Sequence, residues 1–286
     1  MRFFLFLLPI FLLSFARLSG QETGNHYVQL TYANDYFTAT DYYFTQGIRL
    51  EYGMGRHTFF VGQEGYTPTS IRADRILVGD RPYAGSLYLG ARRTGVWGVN
   101  LEYRSEILAG VIGPWSLAAA EQKWIHRQTG NVEPMGWDFQ IANDVLLNYQ
   151  FNVDKTFYSG RFLRIAAGGE GRIGTYRTRL GARTDIELGL LKNGAGKATR
   201  FGAAFYLTPD AYIPLYDATL QGGLFNRSSP YTIPVGDVER VVGRLTGGIR
   251  IKLGRSRIDF SHTYLTREFS TGRPHAYGTA TIRVGW

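Results

Sequence analysis

The chain has 286 residues and contains 36 Gly, 19 Tyr, 18 Phe and no Cys. This Gly- and Tyr-rich composition is typical of β-proteins, and it excludes a disordered chain and a fold held by disulfides. The 32 Lys and Arg outnumber the 23 Asp and Glu, but they are spread along the chain without a basic block. We therefore expect no nucleic-acid partner.

The N-terminal segment 1–20 has the pattern of a secretory signal peptide. A short positive start precedes the apolar run 3–16, and small residues follow at 19–20. We expect cleavage near Gly20, so that Gln21 begins the mature chain. The apolar run is too short for an ordinary membrane span, and no later stretch approaches that length. An exported chain without Cys is not a lipoprotein, so it is either soluble or an outer-membrane β-barrel.

The exported part keeps a positive charge. Removing Arg2 and Arg17 from the 32 basic residues leaves 30 against 23 acidic residues, a net charge of about +7. An anionic partner such as a phosphorylated glycolipid suits both this charge and the exported location.

The segment 276–286 shows a strict period of two, with an apolar row that ends on Trp286. Its length suits a tilted strand that crosses a membrane, and the whole chain ends on an aromatic residue in that apolar row. The rows are Ala276, Gly278, Ala280, Ile282, Val284 and Trp286 on one face and Tyr277, Thr279, Thr281 and Arg283 on the other.

The same alternation recurs along the chain and is divided by tight turns and longer connections. We therefore predict one all-β domain over 21–286, a transmembrane up-and-down antiparallel β-barrel of about twelve strands. Further alternating segments are 97–107, 145–154, 240–253 and 257–267. Predicted tight turns fall at 53–55, 94–95, 158–160, 192–196 and 254–256, and longer connections fall near 66–82, 108–144 and 219–237. The remaining connections, near 37–41, 171–175 and 270–274, are short.

One long segment, 113–140, does not fit a strand. Pro114 suits a first helical turn, good helix formers follow, and Gly130 suits the helix end. On this helix Gln122 and His126 lie four residues apart and share a face with small alanines. We expect an extracellular loop near 108–144 that carries this helix, and His126 is either its functional side chain or an incidental surface histidine on a lid.

The barrel pattern places other polar residues near this loop. With both termini in the periplasm, Asn34 and Asp35 lie at the outer end of the first strand, and Thr45 lies at the outer start of the second. We therefore expect these three residues to converge with His126 at the outer rim.

The chain lacks the usual hydrolytic motifs. It contains no Gly-x-Ser-x-Gly elbow, no thiol and no pair of histidines at zinc-ligand spacing. One imidazole, one carboxylate and several amide or hydroxyl oxygens remain. That set suits a hard cation with oxygen ligands and an imidazole as general base.

Four motifs stand in order along the mature chain. They are Ala33-Asn34-Asp35 with Tyr43-Phe44-Thr45-Gln46-Gly47, then Gly79-Asp80-Arg81-Pro82-Tyr83, then Gly113-Pro114 through Gln122 and His126 to Trp137-Asp138, and Glu268-Phe269 with His275-x-Tyr277-Gly278. Together they resemble the outer-membrane lipid A 3′-O-deacylases, although each motif alone is weak.

The resemblance implies a twelve-stranded barrel with a site between the outer barrel wall and a helix of an extracellular loop. It also implies calcium-dependent hydrolysis of the 3′-linked acyloxyacyl chain of lipid A. The expected partners are then lipid A or lipopolysaccharide and the bacterial outer membrane, with calcium as the cofactor.

The resemblance also assigns roles to residues. His126 matches the family's catalytic histidine, and Thr45 matches a hydroxyl position of its site. Asn34 and Asp35 match its Asn-Asp pair, as catalytic residues and as calcium ligands. Gln122 matches a glutamine one turn before the histidine, and we predict that it contacts substrate.

Several alternatives stay open at this point. Arg81 is a predicted contact to lipid phosphate or a support of the lid, and Asp35 either binds calcium or orients the imidazole. Asn34 and Asp35 also suit a simple strand-end turn. Two other functions are a non-enzymatic barrel for structure, adhesion or narrow-channel transport, and a phospholipase on the same scaffold.

Overall fold

A computed structural model describes residues 26–35, 42–191 and 200–286. The predicted signal peptide 1–20, the connection near 37–41 and the predicted turn at 192–196 lie outside these described residues. The structure therefore does not test those three predictions.

Twelve antiparallel strands close into one barrel, in which each strand pairs with its chain neighbours and β1 pairs with β12. This order confirms the predicted up-and-down barrel. The strands are β1 His26–Asn34, β2 Tyr43–Met54, β3 His57–Thr67, β4 Ala84–Val96, β5 Leu101–Ile112, β6 Asp144–Ser159, β7 Leu163–Gly174, β8 Arg177–Gly189, β9 Phe201–Asp217, β10 Val242–Leu253, β11 Ser256–Leu265 and β12 His275–Gly285.

Among the described residues, two helices lie in the connections at one end of the barrel: α1, Ala118–Thr129, and α2, Ala218–Gln221. Single 3₁₀ turns cover Pro114–Ser116, Gly136–Phe139 and Val235–Asp237. Within the described part of the chain, no helix has both the length and the apolar character needed to cross a membrane.

Successive side chains alternate between the outside of the barrel and the lumen, as the pleat of a strand requires. On β2, Ile48 and Leu50 are exposed on the outside. Between them, Arg49 points into the lumen and pairs with Glu106 of β5 at 3.0 Å. The predicted separation of an apolar outer face from a charged inner face is therefore confirmed.

Arginine–carboxylate pairs occupy the lumen at several levels. Cavities of about 300 Å³ and 210 Å³ remain between them. A charged side chain inside the barrel avoids the cost of facing lipid, and each pair cancels part of the lumenal charge. The pairs include Arg49–Glu51 (2.8 Å), Arg92–Glu51 (2.6 Å), Arg183–Asp154 (2.6 Å), Arg177–Glu64 (3.1 Å) and Arg250–Asp259 (2.6 Å).

Two sequence predictions about local boundaries are wrong. The turn expected at 94–95 lies three residues later, because β4 continues to Val96 and β5 begins at Leu101. Pro114 belongs to a separate 3₁₀ turn, and α1 begins only at Ala118, because Leu117 has a left-handed backbone with φ 61° between the two. The end of α1 at Gly130, with φ 70°, is as predicted.

Candidate active site

Helix α1 lies against the outward face of the barrel wall. On β4, Gly85 occupies the same outward row as the exposed Leu89. A Cβ atom at Gly85 would lie 2.3 Å from Ser116 Oγ and 2.6 Å from Ala118 Cβ, so only glycine allows the helix start to approach this closely. On β3, Gln63 donates to the Ser116 carbonyl at 2.7 Å. The helix is therefore fixed on the outer surface, at the end of the barrel where these strands meet their long connections.

A second contact holds the helix to β2. Gln46 Nε2 donates to Glu121 Oε2 at 2.6 Å. Burial raises the pKa of the Glu121 carboxyl above its ordinary value, and the hydrogen bond from Gln46 opposes part of that rise. The Glu121 charge is thus held at the wall by a neutral amide.

The predicted Asn-Asp corner lies directly beside this contact. Asn34 is the last residue of β1 and is paired in register with Gln46. Its Nδ2 atom donates to the Tyr32 hydroxyl at 3.1 Å. The carboxylates of Asp35 and Glu121 both interact electrostatically with that hydroxyl, and Asp35 is buried. The end of β1, the start of β2 and the helix therefore meet in one polar cluster.

His126 lies five residues after Glu121 on α1, about 7.5 Å further along the helix axis. The two side chains leave the helix about 140° apart, with the buried Gln122 between them. His126 Nδ1 lies 2.5 Å from the Val132 carbonyl oxygen. A carbonyl can only accept, so Nδ1 carries the proton and Nε2 of the neutral ring keeps its lone pair. This tautomer is the one that a general base acting through Nε2 requires.

The remaining predicted residues differ in their surroundings. Thr45 lies at a bulge of β2, and its hydroxyl is 2.6 Å from that of Thr67. Gln122 is buried, and its Oε1 accepts from Trp137 Nε1 at 2.7 Å. Gln122 therefore fixes the helix to the 3₁₀ turn that follows it, and its predicted contact with substrate stays a prediction.

Arg81 lies away from this cluster, in the interior beneath the connections. It is only 1% exposed. Its guanidinium donates to Glu268 at 2.5 Å and to Thr219 at 2.7 Å, and it lies 4.3 Å from the centroid of the Tyr66 ring. Arg81 thereby joins three separate connections. This arrangement is that of a structural support, while the predicted contact with lipid phosphate stays untested.

Glu121 and Gln46 were not predicted from the sequence as residues of the site. Gln46 stands inside the second half of the first motif, and Glu121 immediately precedes Gln122, so both were within the segments that carried the resemblance. The available signal was the barrel register: Asn34 and Gln46 are opposite each other across a hairpin whose loop lies between them. The strand pattern already places Gln46 at the outer start of the second strand, but it gives no sign of the contact with Glu121.

The donor chemistry of the corner fits calcium, the cofactor that the resemblance implies. Calcium takes carboxylate and amide oxygens, and the corner supplies the carboxylate of Asp35 and the amide oxygen of Asn34. Within the described ranges, no group of three or more His, Cys, Asp or Glu is placed to hold a metal ion. The described residues of the corner thus supply two oxygen ligands for the calcium that the resemblance implies.

Comparison with family models identifies the chain. The model of the outer membrane protein LpxR family matches residues 3–286, nearly the whole sequence. The chain belongs to this family. LpxR proteins are the lipid A 3′-O-deacylases that the four motifs resemble, so the predicted family is confirmed. The family and the barrel together place the chain in the outer membrane.

Comparison with solved structures agrees with the fold. LpxR from Salmonella typhimurium superposes with a TM-score of 0.77 at 20% identity, covering 90% of this chain and 99% of that one. The β domain of the Bordetella autotransporter BrkA has a lower TM-score of 0.47 at 10% identity, covering 92% of this chain and 99% of that one. Comparison with curated protein sequences finds no match.

Proposed function

We propose that the chain is an esterase that removes the 3′-linked acyloxyacyl chain from lipid A in the outer leaflet. Membership of the LpxR family supports the reaction class. The position of α1 supports the direction of approach, because the helix and the Asn34 corner lie on the lipid side of the wall rather than in the lumen. A lipid in the leaflet reaches this cleft sideways, without leaving the membrane.

The observation that carries the mechanism is the orientation of His126. With Nδ1 held by the Val132 carbonyl, Nε2 accepts a proton from water. The resulting hydroxide adds to the ester carbonyl carbon. The bond to the sugar oxygen then breaks, and the imidazolium returns its proton to that leaving oxygen. The products are a free sugar hydroxyl and a carboxylic acid, so atoms and protons balance.

In this proposal Asn34 and Asp35 hold calcium. When bound, the ion supplies positive charge for the oxygen on which negative charge develops. Thr45 is the proposed hydroxyl donor beside that oxygen, and hydrogen bonds of this kind are a large term in ester hydrolysis. Gln46 and Glu121 position the helix and take no part in the bond changes.

The lumen disfavours the alternative of a transport channel. Paired arginines and carboxylates occupy it at several levels, and Arg81, Thr219 and Glu268 join the connections above it. Conductance of purified protein in planar bilayers, in the absence of lipid hydrolysis, would favour the channel instead.

A direct assay compares purified wild-type protein with the variants His126→Ala and His57→Ala. His57 is an exposed histidine at the opposite end of the barrel and serves as the matched control. Each protein is given lipid A or phosphatidylethanolamine, with calcium or with a chelator. We expect fatty-acid release from lipid A alone, lost with the chelator and in His126→Ala, and kept in His57→Ala. Release mainly from phosphatidylethanolamine would make the protein a phospholipase.

A further inference from the structure

Three large apolar side chains surround the start of α1 and are exposed. Trp115 is 61% exposed, Leu117 is 62% exposed and Trp124 is 53% exposed. Single exposed apolar residues are ordinary, but two tryptophans and a leucine within ten residues form a patch of the kind that marks an interaction surface.

The patch lies away from the buried side of the helix. Ala118 packs at Gly85 of β4 and Gln122 bonds to Trp137, and both are buried. Trp124 follows Leu117 by seven residues, about two helical turns, and therefore lies on the same side of the helix. Gln122 and Ala118 lie about 160° and 120° around the helix from Trp124, so the tryptophan leaves the helix on its exposed side.

The patch is continuous with the outer apolar surface of the barrel. The 3₁₀ turn that carries Trp115 is fixed at Gly85, and Leu89 lies further along the same outward row of β4. Trp115 N also donates to Asn143 Oδ1 at 2.7 Å, one residue before β6 and close to the exposed Val145. The helix therefore stands on the surface that acyl chains cover, at its outer edge.

The left-handed backbone at Leu117 costs free energy, and exposing the leucine side chain to water would not offset that cost. This residue caps the helix with φ 61° and makes no side-chain capping bond. Leucine is disfavoured in the left-handed region and is a poor N-cap, whereas asparagine suits both requirements. The residue present instead adds an apolar side chain to the patch.

We propose that Trp115, Leu117 and Trp124 form a wedge that inserts into the acyl-chain region of the outer leaflet. Lys123 and Arg127 lie beside Trp124 on α1, and interfacial helices combine tryptophan with basic residues in this way. The wedge holds the free side of α1 in the leaflet, while Gly85 and Gln46 hold its other side to the wall. The cleft thus opens where acyl chains already lie.

The test uses tryptophan fluorescence of protein folded into phosphatidylcholine vesicles, with plain or brominated acyl chains. The signal of Trp124 is the difference between wild type and Trp124→Phe. We expect bromine to quench this difference and aqueous iodide to leave it unchanged. If iodide quenches it and bromine does not, the side chain lies in water and the wedge is wrong. This measurement requires no hydrolysis, so it stands even if the proposed esterase activity fails.

A second measurement asks what the wedge does and rests on the proposed function. Trp124→Ser is compared with Val235→Ser, which removes an exposed apolar residue from the connection between β9 and β10. We expect Trp124→Ser alone to slow deacylation of lipid A in vesicles and to leave the rate on detergent-dispersed lipid A unchanged. Equal rates in vesicles for both variants would show that the wedge does not contribute to substrate capture.

Discussion

The lumen and the outer junction of α1 with the wall both bury carboxylates, but they hold them differently. In the lumen, Glu51 is shared by two arginines at 2.8 and 2.6 Å. At the junction, Glu121 is held by the neutral amide of Gln46, and burial raises its pKa. Buried ion pairs hold a structure rigidly, because loss of one partner leaves the other charge buried without a counter-charge. The amide that holds Glu121 is neutral, so its removal strands no opposite charge. We therefore expect the lumenal pairs to govern stability and the junction to govern activity.

Removing a lumenal partner at the extracellular end should give the largest effect. Arg81→Met leaves Glu268, whose side chain is only 13% exposed, without its cation, and we expect a loss of about 3–5 kcal/mol of folding stability. The temperature at which the folded band converts to the unfolded band on a gel measures this loss of stability. The double variant Arg81→Met with Glu268→Gln should recover most of the loss. The matched control Arg267→Met breaks the exposed pair Arg267–Glu239, which should cost at most about 1 kcal/mol.

Displacing the helix should affect activity without affecting the barrel. Gly85→Leu forces Ser116 and Ala118 away from β4, and a misplacement of about 1 Å lowers activity about a hundredfold. Deacylation of lipid A measures the loss, and the gel shift checks the fold. Gly236→Ala is the control, because a Cβ atom there meets nothing within 4 Å. A Gly85→Leu protein that keeps its activity would show that catalysis does not depend on the position of the helix.

Relieving the backbone at Leu117 should strengthen the helix in detergent. Leu117→Asn replaces a disfavoured left-handed leucine by a good N-cap, a gain of about 1 kcal/mol. Slower hydrogen exchange of the amides in 118–129 would report the gain. Faster exchange would mean that the leucine side chain itself holds the helix start.

The smallest effect concerns pH and Glu121. Because the folded-state pKa is raised, the docked helix binds more protons than the free helix between the ordinary Glu value and the raised one. Docking is therefore strongest below this window and weakens as pH rises through it. Glu121→Gln should remove the dependence, with a change of a few tenths of a kcal/mol at neutral pH because solvent screens the group. Hydrogen exchange of α1 at several pH values measures it, and equal profiles for both proteins would contradict it.

The fold followed from the sequence because its signals are local. Period-two alternation of apolar and polar residues predicts the strands of an outer-membrane barrel without knowledge of any contact. Gly130 likewise marks the end of α1, because a left-handed C-cap is a single-residue requirement. Leu117 could not be predicted as a break, since leucine carries no signal for a left-handed backbone.

The site followed only in part, because it depends on contacts distant in sequence. Asn34 and Gln46 meet across a hairpin, and Glu121 reaches them from 75 residues beyond Gln46. The motif that contains Arg81 is equally compatible with a surface contact to lipid and with a structural support. Only the burial of Arg81 beneath Thr219 and Glu268 distinguishes these two roles.

The most direct measurement is mass spectrometry of lipid A from cells that express wild type, His126→Ala or His57→Ala. We expect wild type and His57→Ala to convert lipid A to the form lacking the 3′-linked acyloxyacyl chain. His126→Ala should leave lipid A intact while assembling an equally heat-resistant barrel. Lipid A that loses this chain equally in wild type and His126→Ala would contradict the assignment of His126 and of the cleft beside it.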